Sequence, residues 1–182
     1  AMQGMMLGLA VMGKELRLKT ADFLYTKPTT RSSVFFQKLG AIMSHLLISW
    51  SISSVFAILV LSQLSETTLD FKVLGYLLIS NLLLMVLFAA LGILTAMLLR
   101  KLKSVVGISI SLVFGFFILS MMQGILDEAW VRFLSPFQYF ENTYIFMEGH
   151  FEWALVAMYS VVVSLSILTA YVVLNKKDIH SV

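Results

Sequence analysis

His45, His150 and His180 are the side chains of this chain best suited to move a proton or hold a metal. They stand far apart, and no histidine cluster is readable among them. The 182 residues include no cysteine. Disulfides, thiolate zinc sites, iron–sulfur clusters and cysteine nucleophiles are thereby excluded. No HExxH, GxSxG or Walker A sequence occurs, so the patterns that place a zinc ion, a nucleophilic serine or an ATP phosphate are missing. No catalytic residue, metal ligand or bound cofactor is expected in this chain. A pI near 9.2 would suit nucleic acid, but the basic residues sit beside apolar blocks, where membrane topology explains them better.

Those blocks set the architecture. The chain is 59% hydrophobic and only 13% charged, against about 45–50% and about a quarter in soluble domains. A helix needs about twenty apolar residues to cross a bilayer. Residues 39–61, 73–99, 104–126 and 153–174 meet that length. They predict helices, because backbone groups in lipid must find their partners within the segment. Residues 1–13 are apolar but too short to span and lack a basic leader. They predict either the inner end of a truncated transmembrane helix or a short buried helix. Gly4 and Gly8 have the spacing that suits close helix packing. The expected fold class is all-α. It is a polytopic membrane helix bundle with four complete transmembrane helices, an N-terminal partial helix and a cytoplasmic coupling helix.

Lysine and arginine orient the bundle. Residues 14–38 carry Lys14, Arg17, Lys19, Lys27, Arg31 and Lys38, the turn after the second span carries Arg100, Lys101 and Lys103, and the tail carries Lys176 and Lys177. Only Lys72 and Arg132 fall on the other side. Positive residues remain cytoplasmic, so a plasma-membrane protein with a cytoplasmic C-terminus is expected. The large outer loop, 127–152, is acidic and aromatic. It predicts short helices broken at Pro136 and Gly149, lying in the headgroup layer as an aromatic belt.

Polar residues inside the spans are mild: Ser44, His45, Ser49, Ser51, Ser53, Ser54, Asn81, Ser109, Ser111 and Gln123. Hydrogen bonds across helices are the expected role of the serines. Gly107, Ser111 and Gly115 share one helix face and predict packing there. For His45 a neutral, hydrogen-bonded state competes with a proton or substrate role. No carboxylate pair lies within a span.

Residues 14–38 are too charged to span yet contain Phe23, Leu24 and Tyr25. Helical periodicity runs to Thr26, and Lys27-Pro28 ends it. Thr29 or Thr30 is the expected cap of the next helix. The result is a helix, a sharp turn and a second helix on the inner membrane face. An amphipathic helix resting on anionic lipid and a docking knob for a cytoplasmic partner both satisfy this pattern.

The wording of this stretch resembles permease subunits of ABC transporters of the second exporter class (ABC-2-type). The resemblance lies in Glu15, then Asp22-Phe23-Leu24-Tyr25-Thr26-Lys27-Pro28-Thr29-Thr30-Arg31-Ser32-Ser33-Val34, then Lys38. Leu134-Ser135-Pro136-Phe137-Gln138-Tyr139-Phe140 is similar to the phrase before that family's last span, and Asn175-Lys176-Lys177-Asp178-Ile179 to its closing phrase. The resemblance implies a six-span subunit, of which this chain is an N-terminally truncated form. It implies an export permease that dimerises with a second permease copy or a homologous permease. It also implies a separate ABC ATP-binding subunit, which holds ATP and Mg. Carried over by position, Glu15, Asp22, Phe23, Leu24, Tyr25, Lys27, Pro28 and Arg31 would contact that subunit. The resemblance leaves the substrate unknown. A membrane anchor that docks a soluble partner through residues 14–38, without transport, is the other expectation.

Overall fold

The computed structural model describes residues 1–14, 30–64, 71–99, 102, 104–126 and 129–176. Its helices are α1 (Met2–Met12), α2 (Arg31–Leu64), α3 (Phe71–Leu98), α4 (Val105–Leu126), α5 (Ala129–Leu134), a 3-10 turn (Pro136–Phe140), α6 (Asn142–Glu148) and α7 (Trp153–Lys176). Four of these, α2, α3, α4 and α7, are long and apolar enough to cross a membrane. They are the four spans read from the sequence. The all-α membrane bundle is therefore the fold. The helices run alternately up and down, giving a basic end and a cap end built from α5, the 3-10 turn and α6.

Local chemistry sets the helix limits. Thr30 caps α2: the Ser33 backbone N–H donates to Thr30 Oγ1 at 3.3 Å. Thr30 is thus the cap, and α2 starts eight residues before the apolar block. Its 34 residues give a rod roughly 50 Å long at 1.5 Å per residue. That exceeds a hydrocarbon core of about 30 Å. The first two turns carry Arg31 and Lys38 and also bury Phe35 in the core. Ser104 caps α4 in the same way, its Oγ accepting from the Gly107 N–H at 3.1 Å. Gly149 ends α6 in the left-handed region with φ 65°.

The core forms around α3, whose most apolar window is 44% buried, against 6–11% for the other three long helices. Helix α1 lies against it, with Gly4, Met5, Gly8, Leu9 and Met12 buried. The two backbones nearly touch. A β-carbon built on Gly4 would strike the Met85 carbonyl oxygen, and one on Gly8 the Ala89 carbonyl oxygen. One on Gly92 would fall 2.6 Å from the Met5 carbonyl oxygen. Glycine on both helices, with Ala89 and Ala96 beside it, permits the close approach from which dispersion contacts accumulate. Helix α1 is a short apolar helix whose glycine face is buried against α3.

The expected packing along Gly107, Ser111 and Gly115 is not found within the described residues. All three are exposed. No neighbouring atom lies within 4 Å of a β-carbon built on Gly115, and one on Gly107 would meet only Ser104 of its own turn. The expected cross-helix role of the serines holds for few of them. Ser44, Ser51 and Ser111 donate to carbonyls four residues back in their own helices, a local satisfaction open to any helical serine. Ser49 does bond across helices, accepting from Gln3 Nε2 at 2.6 Å. His45 is exposed on α2 and forms no hydrogen bond with the described residues.

Candidate functional site

Two places gather charged and aromatic side chains away from the α1–α3 seam. One is the basic end. Among the described residues, Lys14, Arg31, Lys38 and Lys176 lie there, whereas the described carboxylates, Glu141, Glu148 and Glu152, all lie at the cap end. Of the residues expected to contact a partner, Glu15, Asp22, Phe23, Leu24, Tyr25, Lys27 and Pro28 lie outside the described residues. Arg31 lies inside them. It is partly buried, and its Nη1 donates to the Asn175 carbonyl oxygen at 3.5 Å. Asn175 is at the C-terminal turn of α7, where unpaired carbonyls favour a cation. Ser32 Oγ and the Tyr171 hydroxyl lie 2.9 Å apart. The Phe35 and Tyr171 rings meet edge-on at 5.5 Å. The first turns of α2 are thereby fastened to the last turns of α7.

The described helices on either side of residues 15–29 are both anchored. At one edge, α1 ends at Gly13, whose N–H donates to the Leu9 carbonyl at 2.9 Å, and α1 is locked to α3 by the glycine contacts. At the other edge, Thr30 opens α2, which is tied to α7.

The second place is the cap end. Aromatic residues of the cap turn inward more than an interfacial belt would. Tyr139 and Phe140 are buried, with Phe140 against Tyr159 at 5.2 Å and Phe151 at 5.7 Å. Phe137 meets Phe88 of α3 at 5.0 Å. The reason is the break at Ser135-Pro136, which folds a short 3-10 turn back onto the bundle and gives its rings a dry surface. Phe146 and Met147 remain exposed, as the belt reading expects.

Arg132 fastens this cap. Its Nη2 donates to Glu152 Oε2 at 2.8 Å and lies 3.6 Å from Glu141 Oε2. One guanidinium thus joins α5 to the residues before α6 and α7. The Tyr139 hydroxyl donates to the Phe133 carbonyl at 2.7 Å, and burial pushes its pKa up. Gln138 Nε2 donates to Ser120 Oγ of α4 at 3.0 Å.

Between the cap and the first half of α3 lies an open cavity of about 650 Å³, along which Asn81, Asn142, Thr143 and Phe146 are exposed. Leu77, Ser80, Asn81 and Leu84 form one wall, and Phe137, Phe140, Asn142, Thr143 and Phe146 form the rest. Among the described residues, no charged side chain lines it. In the sequence, Asn81 is only a mild polar residue within an apolar span. The available signal was a lone carboxamide in an otherwise apolar block, facing a loop rich in phenylalanine. No group of three or more histidine or carboxylate ligands occurs among the described residues. Compared with known protein families, curated proteins and solved structures, the chain matches none.

Proposed function

We propose that this chain is a membrane-spanning permease subunit of an ATP-driven ABC exporter, working with a separate ATP-binding subunit. The basic end faces the cytoplasm, the C-terminus lies there, and residues 14–38 receive the ATPase. The observation that supports the reading is that the described helices on either side of residues 15–29 are each packed into the bundle, α1 on α3 and α2 on α7. A partner that binds this segment differently in two states shifts the balance between two arrangements of the bundle. Phe23, Leu24 and Tyr25 supply apolar anchors of the kind that dominate interface energies. Asp22 and Lys27 set the register by charge. The motif resemblance and the one-sided distribution of basic residues support the same reading. ATP and Mg belong to the partner, and a second permease copy or a homologue completes the membrane part.

The test is co-purification with a P-loop ATPase encoded beside this chain. Reversing two charges together, Asp22→Lys with Lys27→Glu, is expected to reduce recovery of the complex at least tenfold. Arg31 is left intact because its loss would also free α7. An undiminished complex would overturn the interface. Stable binding of a soluble partner with no ATPase activity would favour the anchoring role instead.

A further inference from the structure

The cavity beside α3 has a lining that specifies a ligand class. Phe137, Phe140 and Phe146 give it apolar faces, while Asn81, Asn142 and Thr143 give it neutral hydrogen-bonding groups. Those last three side chains form no hydrogen bond with the described residues. Asn81 is the telling one. It stands ten residues inside a helix that crosses the membrane, where a carboxamide facing lipid without a partner is costly. Elsewhere in the long helices, most polar side chains have satisfied themselves. Ser80 donates to the Tyr76 carbonyl at 2.7 Å, and Thr95 to the Leu91 carbonyl at 2.7 Å. An asparagine has two donors and an acceptor, and here all remain available to whatever enters.

The volume of about 650 Å³ is within the usual range for small-molecule sites, roughly 300–1,000 Å³. The described lining offers no counter-charge to an anion or a cation, and its hydrogen-bonding groups are neutral. Hydroxyl or amide groups on the ligand match the two carboxamides and the threonine hydroxyl. Apolar ring or chain faces match the phenylalanines. Phe146, 72% exposed at the rim, gives a membrane-borne ligand an apolar edge to cross. We propose that this cavity is a binding site for an uncharged, sugar-headed amphiphile drawn from the cap-side leaflet. The head group meets Asn81, Asn142 and Thr143, and the apolar portion lies along Phe137, Phe140 and Phe146. The site stands independently of whether an ATPase partner exists.

The test uses the full chain in lipid nanodiscs with Phe146→Trp as a rim reporter. The probe is an alkyl glucoside brominated on its chain. Alkyl sulfate and alkyltrimethylammonium compounds with the same brominated chain serve as charged controls. The expected result is quenching that saturates with the glucoside and stays linear with both controls. Adding Asn81→Leu, an apolar change that suits a membrane helix, is expected to weaken glucoside binding about five- to tenfold. Thr143→Val provides a second variant at the surface of the cap, with a smaller loss in the same direction. Linear quenching with all three head groups would overturn the proposal and identify simple partitioning. Saturable binding unchanged by both substitutions would overturn it too, as would a cavity closed to every probe by a neighbouring helix.

Discussion

Two rows of small residues in this protein share a spacing and have opposite surroundings. Gly4 and Gly8 on α1 press against the backbone of α3, with Gly92 answering from the other side. Gly107, Ser111 and Gly115 on α4 repeat the same interval and face outward. Small residues at intervals of four clear a path along a helix, and only a neighbour turns that path into an interface. At α1 the neighbour is α3, the most apolar of the long helices. At α4 no described element of this chain fills the path.

The sharpest way to break this contrast is a single methyl group. Gly8→Ala places a carbon against the Ala89 carbonyl and is expected to cost about 3 kcal/mol, as overpacking of a tight contact does. Thermal unfolding in detergent would show it as a large fall in Tm. An unchanged Tm would mean that the α1–α3 seam is absent in solution. Removal of Arg132 is expected to come next. Arg132→Ala leaves Glu141 and Glu152 without their shared cation and frees the cap, with a loss of about 1–2 kcal/mol for a partly exposed pair of bridges. Proteolysis within the cap should accelerate while the long helices stay protected.

Gly115→Ala sharpens the comparison from the other side. With open space around it, the methyl group adds only helix propensity, worth up to about 1 kcal/mol. Stability should hold or rise slightly, opposite in sign to Gly8→Ala. The smallest effect is expected at Tyr139. Burial raises its pKa above the usual phenol value, so the folded state favours the neutral hydroxyl. That contribution is fully present below the phenol's unfolded pKa and is lost as pH rises through the higher folded value. Wild type should therefore lose more stability than Tyr139→Phe between about pH 9 and pH 11. Parallel losses would show that burial does not hold the Tyr139 hydroxyl in its neutral form.

Much of the fold was legible because a bilayer imposes one simple length rule. The four spans agree with the sequence blocks except at α2, where Thr30 rather than the start of the apolar run sets the first turn. The expected cap at Thr29 or Thr30 anticipates that start, whereas the burial of Phe35 against Tyr171 of α7 depends on a contact distant in sequence. The cap was legible as short pieces but not as a packed layer. Pro136 and Gly149 mark the breaks, whereas the inward turn of Phe137 and Phe140 depends on Phe88, Phe151 and Tyr159, which are distant in sequence. The cavity was illegible for the same reason: Asn81 and Thr143 meet only in space. At the basic end, the expected partner residues from Glu15 to Pro28 lie outside the described residues, and Arg31 is engaged with α7.

The account turns on which side of the membrane holds the basic end. The chain has no cysteine, so single thiols report their own position without background. Thr26→Cys and Glu148→Cys, each alone, should be treated with a membrane-impermeant maleimide on intact cells and again after lysis. The account predicts that Glu148→Cys labels at once and Thr26→Cys only after lysis. Labelling of Thr26→Cys on intact cells would contradict it, because no cytoplasmic ATPase can push a segment that lies outside.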